Sequence, residues 1–306
     1  MLFIISLISF IAINLAPNSF FASGELNPNI TPEAIEELKK IYGLDKPLYI
    51  QFFSWIYSIL QLDFGISFTS GEKVKEEILS RIPITLTINI VSMILIFIIS
   101  LYFGIKSAMK KNSIFDRFTN QLSLLSFSMP SFYLALVLVL VFSIKFELFP
   151  IAGLHSVPND GSLNYYLDFA WHLTLPIFII VFGGIGSLIL YIRALTIEIL
   201  KSDYIFFARA RGLDNKKILR YYILPNLYPP VITLLGLSLP GVIGGSVILE
   251  TIFSIDGMGL LFYQSALSHD YPVIMGILII RAFLTLIGNM FAHVILLKLN
   301  PNYNEK

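Results

Sequence analysis

The sequence predicts an all-α membrane protein with six transmembrane helices. Of its 306 residues, 56% are hydrophobic and 13% are charged, whereas about a quarter of an ordinary soluble domain is charged. Several stretches exceed the roughly 20 apolar residues that a helix needs to cross about 30 Å of hydrocarbon. The alternating pattern of a β-barrel is absent, so these runs satisfy their backbone groups as helices. The composition excludes a disordered chain, a collagen-like repeat and a nucleic-acid-binding surface.

The first predicted span occupies residues 1–16 and is shorter than the others. Its apolar part, Leu2–Ala16, covers only about 22 Å at about 1.5 Å per residue. It lacks the basic start and the A-x-A-like cleavage site of a signal peptide. We interpret it as the outer part of a first spanning helix whose inner turns are missing.

Residues 17–81 are predicted to form a small helical segment outside the membrane. Thr31, Pro32 and Glu33 supply a capping residue, a proline at the first helical position and an acid near the positive helix end. Gly43 can end this helix. A second, apolar helix is predicted after Pro47, and its many aromatic residues suit the membrane interface.

The other five predicted spans form a core over residues 82–306. Four of them contain no charged residue: Ile82–Ile105, Phe118–Ile144, Phe169–Ile192 and Tyr221–Leu249. The fifth, Tyr271–Leu297, is interrupted only by Arg281. Their length is typical of membrane spans rather than of buried core helices.

The connections between these spans predict the orientation, because short loops rich in Lys and Arg stay in the cytoplasm. Lys106–Arg117 holds four basic residues and Arg193–Arg220 holds seven. Leu148–Trp171 and Glu250–Tyr271 hold none but carry five acidic residues. The two basic loops are therefore predicted to be cytoplasmic, the acidic connections external and both termini cytoplasmic.

Two charged residues are candidates for lining a path or for pairing helices. Arg281 lies well inside a predicted span, where an arginine costs about 3 kcal/mol or more unless it faces protein or water. It equally fits a side chain that snorkels to the outer interface. Glu250, at the outer end of its span, has the same two interpretations. Nearby, Gly244 and Gly245 belong to a cluster of small residues that favours close helix packing over a sliding contact.

No constellation for catalysis is present. The chain has no cysteine and no phosphate-binding G-x-x-x-x-G-K-[ST] loop, so it is not expected to hydrolyse ATP. Its four histidines have no metal-ligand spacing: His155, His172, His269 and His293. The first three lie on the predicted outer side, where contact with a passing cation stays open. We predict no catalytic residue, no metal site and no enzyme.

The loop over residues 193–225 is far longer than a tight connector. One helix is predicted to run to Arg211, where Gly212 stops it. Asp214 can cap a second helix, which has one apolar face: Ile218, Leu219, Tyr222 and Ile223. Pro225 marks the return to the membrane. A basic helix–glycine–helix with an apolar side fits a groove on another protein or the surface of an anionic bilayer.

The spacing of Ala208, Gly212, Leu224 and Pro225 resembles the EAA loop of permeases from ATP-binding-cassette (ABC) importers. The sequence departs from that pattern in three places: Phe206 and Phe207 replace Glu and Ala, and Tyr222 replaces Ile. Further segments are similar to the dipeptide, oligopeptide and nickel branch of these permeases: Gly43–Trp55, Leu62–Phe68, Ser128–Leu136, Asp203–Leu213 and Gly244–Val273.

The resemblance implies a type I importer permease fold in the bacterial inner membrane. Such a permease pairs with a homologous second permease, two cytosolic ATPases and an external solute-binding protein. ATP is bound by the ATPases, so no cofactor is expected here. The resemblance also implies that one loop couples the permease to the ATPases, through Asp203, Tyr204, Ala208, Arg209, Ala210, Arg211, Gly212, Leu213, Leu219, Leu224 and Pro225.

The function implied by the resemblance is uptake of dipeptides or oligopeptides. A nickel or nickel-chelate permease is the alternative within the same branch. A self-sufficient channel or secondary transporter is less favoured, because such carriers place several ionisable residues near the bilayer midplane and only Arg281 qualifies here. A membrane-embedded hydrolase is less favoured still.

Overall fold

The computed structural model describes residues 6–7, 10–11, 46–242 and 244–299. Over these residues the chain is almost entirely helical, with one isolated bridge between Ile66 and Lys73. In chain order the helices are α1 Leu48–Leu60, α2 Val74–Met109, α3 Ile114–Ser128, α4 Ser131–Leu138 with a π-helical continuation Val139–Lys145, α5 Leu163–Leu200, α6 Asp203–Ala210, α7 Asn215–Ile218 with a π-helical continuation Leu219–Ile223, α8 Leu224–Val242, α9 Val247–Ile252, α10 Met258–Leu267 and α11 Tyr271–Leu299.

Four helices are long and apolar enough to cross a membrane: Val74–Met109, Leu163–Leu200, Asn215–Leu239 and Tyr271–Ile295. They contain the predicted spans Ile82–Ile105 and Phe169–Ile192 and most of Tyr271–Leu297. The helices α2 and α5 also extend beyond the predicted spans at both ends. Of the predicted first span only four residues are described, and the predicted helix after Thr31 lies outside the described residues.

The predicted straight span Phe118–Ile144 is wrong. The helix α3 ends at Ser128, and the next helix begins at Ser131 and is bent by 99° from the first. The cause is Pro130, which has no amide hydrogen and disfavours helical geometry in the residue before it. Met129 is accordingly extended, with φ −88° and ψ 120°. The two pieces together form a broken span or a re-entrant loop.

The predicted span Tyr221–Leu249 is wrong at both ends. The helix begins earlier, at Asn215, and passes without interruption through the π-helical turn into α8. It ends at Val242, and a separate helix, α9, starts at Val247. Between them Gly245 has φ +62°, a conformation that glycine adopts without steric cost. The described part of this interruption, residues 244–246, is called the α8–α9 break below.

The helices α2, α3 and α5 form the centre of the bundle, and glycine allows them to approach closely. A Cβ atom on Gly186 would lie 2.5 Å from the Ser123 carbonyl oxygen of α3, and one on Gly184 would lie 2.5 Å from Ile96 of α2. Small residues are used in this way where helices pack in lipid.

The basic and acidic connections lie at opposite ends of the bundle. At the basic end, Arg193 of α5 contacts Asp116, just after the turn from α2 to α3. At the acidic end, Gly153 N–H donates to the Phe253 carbonyl oxygen at 2.8 Å, and Ser67 donates to Asp270 at 2.6 Å. The helix α1 packs through Phe52 against Met275.

Candidate functional site

The first half of the long loop is a short helix anchored to the basic end of the bundle. Two side chains of α6 face inward, Ile205 and Ala208, and both are buried. The helix ends in a Schellman motif: Leu213 N–H donates to the Ala208 carbonyl oxygen at 3.2 Å, and Gly212 N–H donates to that of Arg209 at 2.9 Å. This motif needs a left-handed residue, and Gly212 supplies it with φ +77°. The predicted stop at Gly212 is confirmed.

The second half of the loop is also held against the bundle. Asp214 accepts a hydrogen bond from the Lys217 amide at 3.0 Å, which confirms the predicted cap. Ile218 and Ile223 are fully buried and join Ile105 and Ile192 of the long helices in one apolar cluster. The ring of Tyr222 stacks on Tyr204 with centroids 6.2 Å apart, which ties the two halves together.

These contacts change the interpretation of the loop. The sequence analysis assigned its apolar face to a partner's groove or to lipid, but that face is covered by the protein's own helices. Only the outward surface of the loop is open to another protein. A buried apolar face makes the loop a firm part of the bundle rather than a loose linker.

The outward surface combines aromatic and basic side chains. Phe206, Phe207 and Tyr221 are 69%, 61% and 62% exposed. Five exposed basic residues accompany them: Arg209, Arg211, Lys216, Lys217 and Arg220. Exposed rings beside cations are typical of protein interfaces, whose energetics are dominated by aromatic and arginine residues. The sequence feature that indicated this surface was the pair Phe206 and Phe207, which replace the Glu and Ala of the family pattern.

The loop residues named from the sequence divide into two groups. Seven are exposed: Asp203, Tyr204, Arg209, Ala210, Arg211, Gly212 and Pro225. Four face inward, Ala208 being buried and the others half-buried: Ala208, Leu213, Leu219 and Leu224. The first group is available for contact with a partner, and the second holds the loop in place.

A partly buried ion pair beside the loop was not predicted from the sequence, which placed Arg193 in a loop. Arg193 lies within α5, and its guanidinium donates to Asp116 through Nε at 2.7 Å and Nη2 at 2.9 Å. Asp116 also accepts from Ser107 and from the Asn112 amide at 2.9 Å. This carboxylate therefore joins α2, α3 and α5 at the basic end. No local pattern in the sequence marks a pairing between residues so far apart.

Glu250 is a structural residue. It is 4% exposed, and its Oε2 accepts from the amides of Gly259 and Leu260 at 2.7 and 2.9 Å. Its Oε1 accepts from the Ser246 amide at 3.3 Å. The carboxylate ties the α8–α9 break to the start of α10.

Arg281 also contacts the α8–α9 break, at Gly244, whereas Glu250 contacts the next residue, Gly245. A Cβ atom on Gly244 would lie 2.7 Å from Nη2 of Arg281 and 2.9 Å from its Cζ, so the guanidinium rests directly on this glycine. A Cβ atom on Gly245 would instead meet Glu250 at 2.5 Å. In the described part of the chain no carboxylate pairs with Arg281, and its side chain is exposed.

Two of the outer histidines, His155 and His172, lie beside the same carboxylate, Asp168. His155 stacks on Tyr165 with centroids 3.9 Å apart, and its Nδ1 lies 3.7 Å from Asp168. His172 lies 3.5 Å from the same carboxylate. His269 has φ +55° at the turn before α11, and His293 lies within α11. Among the described residues there is no group of three His, Cys, Asp or Glu side chains that could hold a metal ion.

Comparisons with known proteins cover nearly the whole sequence. Residues 98–305 match the family described as "Binding-protein-dependent transport system inner membrane component". Residues 1–89 match the N-terminal membrane component of such systems.

Among the relatives, the oligopeptide transport system permease protein AppB of Bacillus subtilis is 35% identical over 97% of this chain and 93% of its own length. The dipeptide transport system permease protein DppB of Lactococcus lactis is 32% identical over 98% of this chain and 94% of its own. The metal-staphylopine import system permease protein CntB of Staphylococcus aureus is 31% identical over 91% and 85%.

A solved structure of the MetNI methionine ABC transporter, in an inward-facing conformation, has a similar fold. Its TM-score is 0.58 at 17% sequence identity, over 73% of this chain and 96% of the matched chain. At that identity the likeness concerns the fold alone.

Proposed function

This chain belongs to the family of binding-protein-dependent transport system inner membrane components, and on that premise we propose that it imports short peptides. It is a permease subunit of an ABC importer, a membrane-embedded transport component rather than an enzyme. Importers of this family work with ATPase and binding-protein partners. The proposal concerns the cargo, the set of partners and the residues that connect them.

The observation that carries the proposed mechanism is the anchored loop with an exposed aromatic and basic surface. We propose that Asp203–Leu219 seats in a groove of a cytosolic ATPase, with Phe206 and Phe207 as the buried anchors of that contact. Ile205, Ala208, Ile218 and Ile223 connect the loop to the long helices. Movement of the docked loop is therefore transmitted to the bundle rather than lost in a flexible linker.

The continuous helix Asn215–Val242 offers a path for that movement. It leads from the loop to the α8–α9 break and to the contact with Arg281. Closure of the ATPases would pull on this helix and favour one of two packings of the bundle. A shift from 1:99 to 99:1 requires about 5.5 kcal/mol of differential binding, which a well-packed loop can transmit.

We propose that the assembly contains a homologous second permease, two ATPases that bind the ATP, and an external solute-binding protein. The basic end of the bundle and both termini would lie in the cytoplasm of a bacterial cell. The clustering of basic segments at one end supports this orientation. The two permeases would enclose the path, and this chain itself would need no cofactor.

Peptides are the favoured cargo because relatives that match over nearly the full length of the chain are oligopeptide and dipeptide permeases. A metal-chelate importer is the second candidate, favoured by the metal-staphylopine relatives. A nickel permease belongs to this second candidate.

The proposal is tested by purifying the complex from its native membrane, identifying its subunits and reconstituting it with the binding protein. ATP-dependent uptake of a labelled dipeptide or oligopeptide is expected. Vesicles that contain this chain alone should accumulate none, and uphill uptake by them would refute the dependence on ATPases. Uptake of a labelled metal chelate without any peptide uptake would establish the second candidate instead.

A further inference from the structure

We propose that Arg281 binds the carboxylate group of the transported peptide, at a site built where its guanidinium rests on the α8–α9 break. This inference rests on the proposed function, because it assigns a role to one residue on the path of a peptide importer. It gives the cargo a specific contact inside the membrane portion of the chain.

The depth of Arg281 is the first step. It is the eleventh residue of α11, which begins at Tyr271, so it lies about 15 Å along the helix at about 1.5 Å per residue. Gly276, five residues earlier, lies against Val74 and Ile78 at the outer start of α2, so Arg281 lies in the outer part of the spans. An arginine at this depth faces protein or a water-filled path, because exposure to lipid is costly.

The backbone next to Arg281 provides a second and independent step. Gly244, on which the guanidinium rests, belongs to the interruption between α8 and α9. Non-helical backbone at membrane depth is tolerated where it is buried in protein or lines a water-filled cavity. The Arg281 side chain is exposed on this chain, as a side chain that faces the path between two permeases would be.

The third step is that, among the described residues, no carboxylate pairs with Arg281. Glu250 lies on the other side of the glycine pair, but backbone amides of Ser246, Gly259 and Leu260 occupy its two oxygens. The two groups do not form an ion pair. The Glu250 carboxylate therefore lies near the break but is hydrogen-bonded to backbone amides. The Arg281 guanidinium remains available to a ligand.

The chemistry of the side chain selects the ligand. Guanidinium presents planar N–H donors that match the two oxygens of a carboxylate. Every unmodified peptide carries one C-terminal carboxylate, which is ionised at neutral pH because its pKa is about 3.5. One such contact is strong enough to favour entry and weak enough to permit release, as transport requires.

The experiment uses the complete importer in proteoliposomes and compares one peptide with its C-terminal amide. The readout is the ratio of the two uptake rates, because the binding protein and the ATPases are the same for every variant. Arg281→Gln should lower the acid-to-amide ratio at least tenfold, whereas Arg281→Lys should retain most of it. Lys298→Gln removes the same charge from the last turn of the same helix and should leave the ratio unchanged.

A second measurement remains informative if Arg281→Gln assembles poorly. The chain has no cysteine, so Arg281→Cys introduces a unique thiol into it. Labelling by a water-soluble cationic methanethiosulfonate should restore uptake of the free peptide, and excess peptide should slow the labelling. An anionic reagent should not restore uptake.

Several results would overturn the inference. These are an unchanged acid-to-amide ratio in Arg281→Gln, a thiol that aqueous reagents do not reach, and equal recovery with both reagents. In each case wild-type uptake of the free peptide would persist, so the proposed function would stand. If the wild-type importer moves no peptide at all, the proposed function fails and this inference fails with it.

Discussion

Two glycine-containing turns in this molecule use glycine for different physical reasons. At the basic end, Gly212 has φ +77° and a Cβ atom there would meet nothing within 4 Å, so the need is purely conformational. In the α8–α9 break, Gly244 is needed because a side chain would collide with Arg281. Gly245 combines both needs, with φ +62° and Glu250 at 2.5 Å.

The surroundings of the two turns differ in the same way. The basic end is fastened by the Asp116–Arg193 pair and by a fully buried apolar cluster. At the break, backbone amides donate hydrogen bonds to Glu250, while among the described residues no carboxylate pairs with the Arg281 guanidinium. In the proposed mechanism, the firmly held end would receive force from the ATPases and the partly open break would respond to it.

The largest expected effect concerns the fastening of the basic end. Asp116→Ala leaves the partly buried Arg193 guanidinium without its carboxylate partner, and an unsatisfied charged donor of this kind costs about 3 kcal/mol. We expect the detergent-solubilised importer to unfold at a lower temperature. The unfolding temperature is read from the change in intrinsic protein fluorescence on heating, which reports the exposure of buried residues. Glu198→Ala removes an exposed carboxylate from the same end and should change little. An equal effect of the two variants would mean that the pair does not fasten the helices.

Gly245→Ala tests the break, with the next largest effect. The variant forces alanine into a left-handed conformation and brings a methyl group against Glu250, so we expect a loss of about 2 kcal/mol. Peptide uptake should fall strongly. Gly241→Ala is the control, because its Cβ atom would meet nothing within 4 Å. Uptake by Gly245→Ala at the level of this control would show that the break tolerates a side chain.

Phe206→Ala tests the outward surface of the loop. The ring is 69% exposed, so the thermal stability of the permease should not change. Affinity for the ATPases should fall about tenfold, as expected for an aromatic anchor at an interface. Binding of purified ATPase to the reconstituted permease measures this effect. The control is Ile114→Ala, at a position near the same end that is 86% exposed. A similar loss of ATPase affinity in this control would show that Phe206 has no special role.

Gly212 gives a smaller loss of stability than Gly245. Gly212→Ala should cost about 1 kcal/mol, which reflects the steric cost of the left-handed conformation alone. Gly212→Asn should cost less, because asparagine tolerates this region better than other residues.

The bulkier Gly212→Val should still insert in the membrane but should uncouple ATP hydrolysis from uptake. The measurement is the ratio of the uptake rate to the ATPase rate. Undiminished uptake in Gly212→Val would refute the coupling role of the turn.

Much of the fold could be predicted from the sequence because the relevant signals are local. Long apolar runs identified α2, α5 and α11. Gly212 correctly marked the end of α6, and Asp214 correctly marked the start of α7. The bend at Pro130 also had a local cause, but a continuous apolar run concealed it. The end of α8 at Val242 was missed because the apolar run continues to Leu249 without a charged residue.

The sequence by itself determined the membrane class, the segregation of charge and the helix–glycine–helix of the loop, since each depends on residues that are neighbours in the chain. Only the tertiary structure decided that the apolar face of the loop packs on the bundle and that Arg193 pairs with Asp116. It also decided that Arg281 rests on Gly244 with no carboxylate partner among the described residues. These contacts join residues far apart in sequence. Their energies depend on which helices meet and at what depth, and no local pattern contains that information.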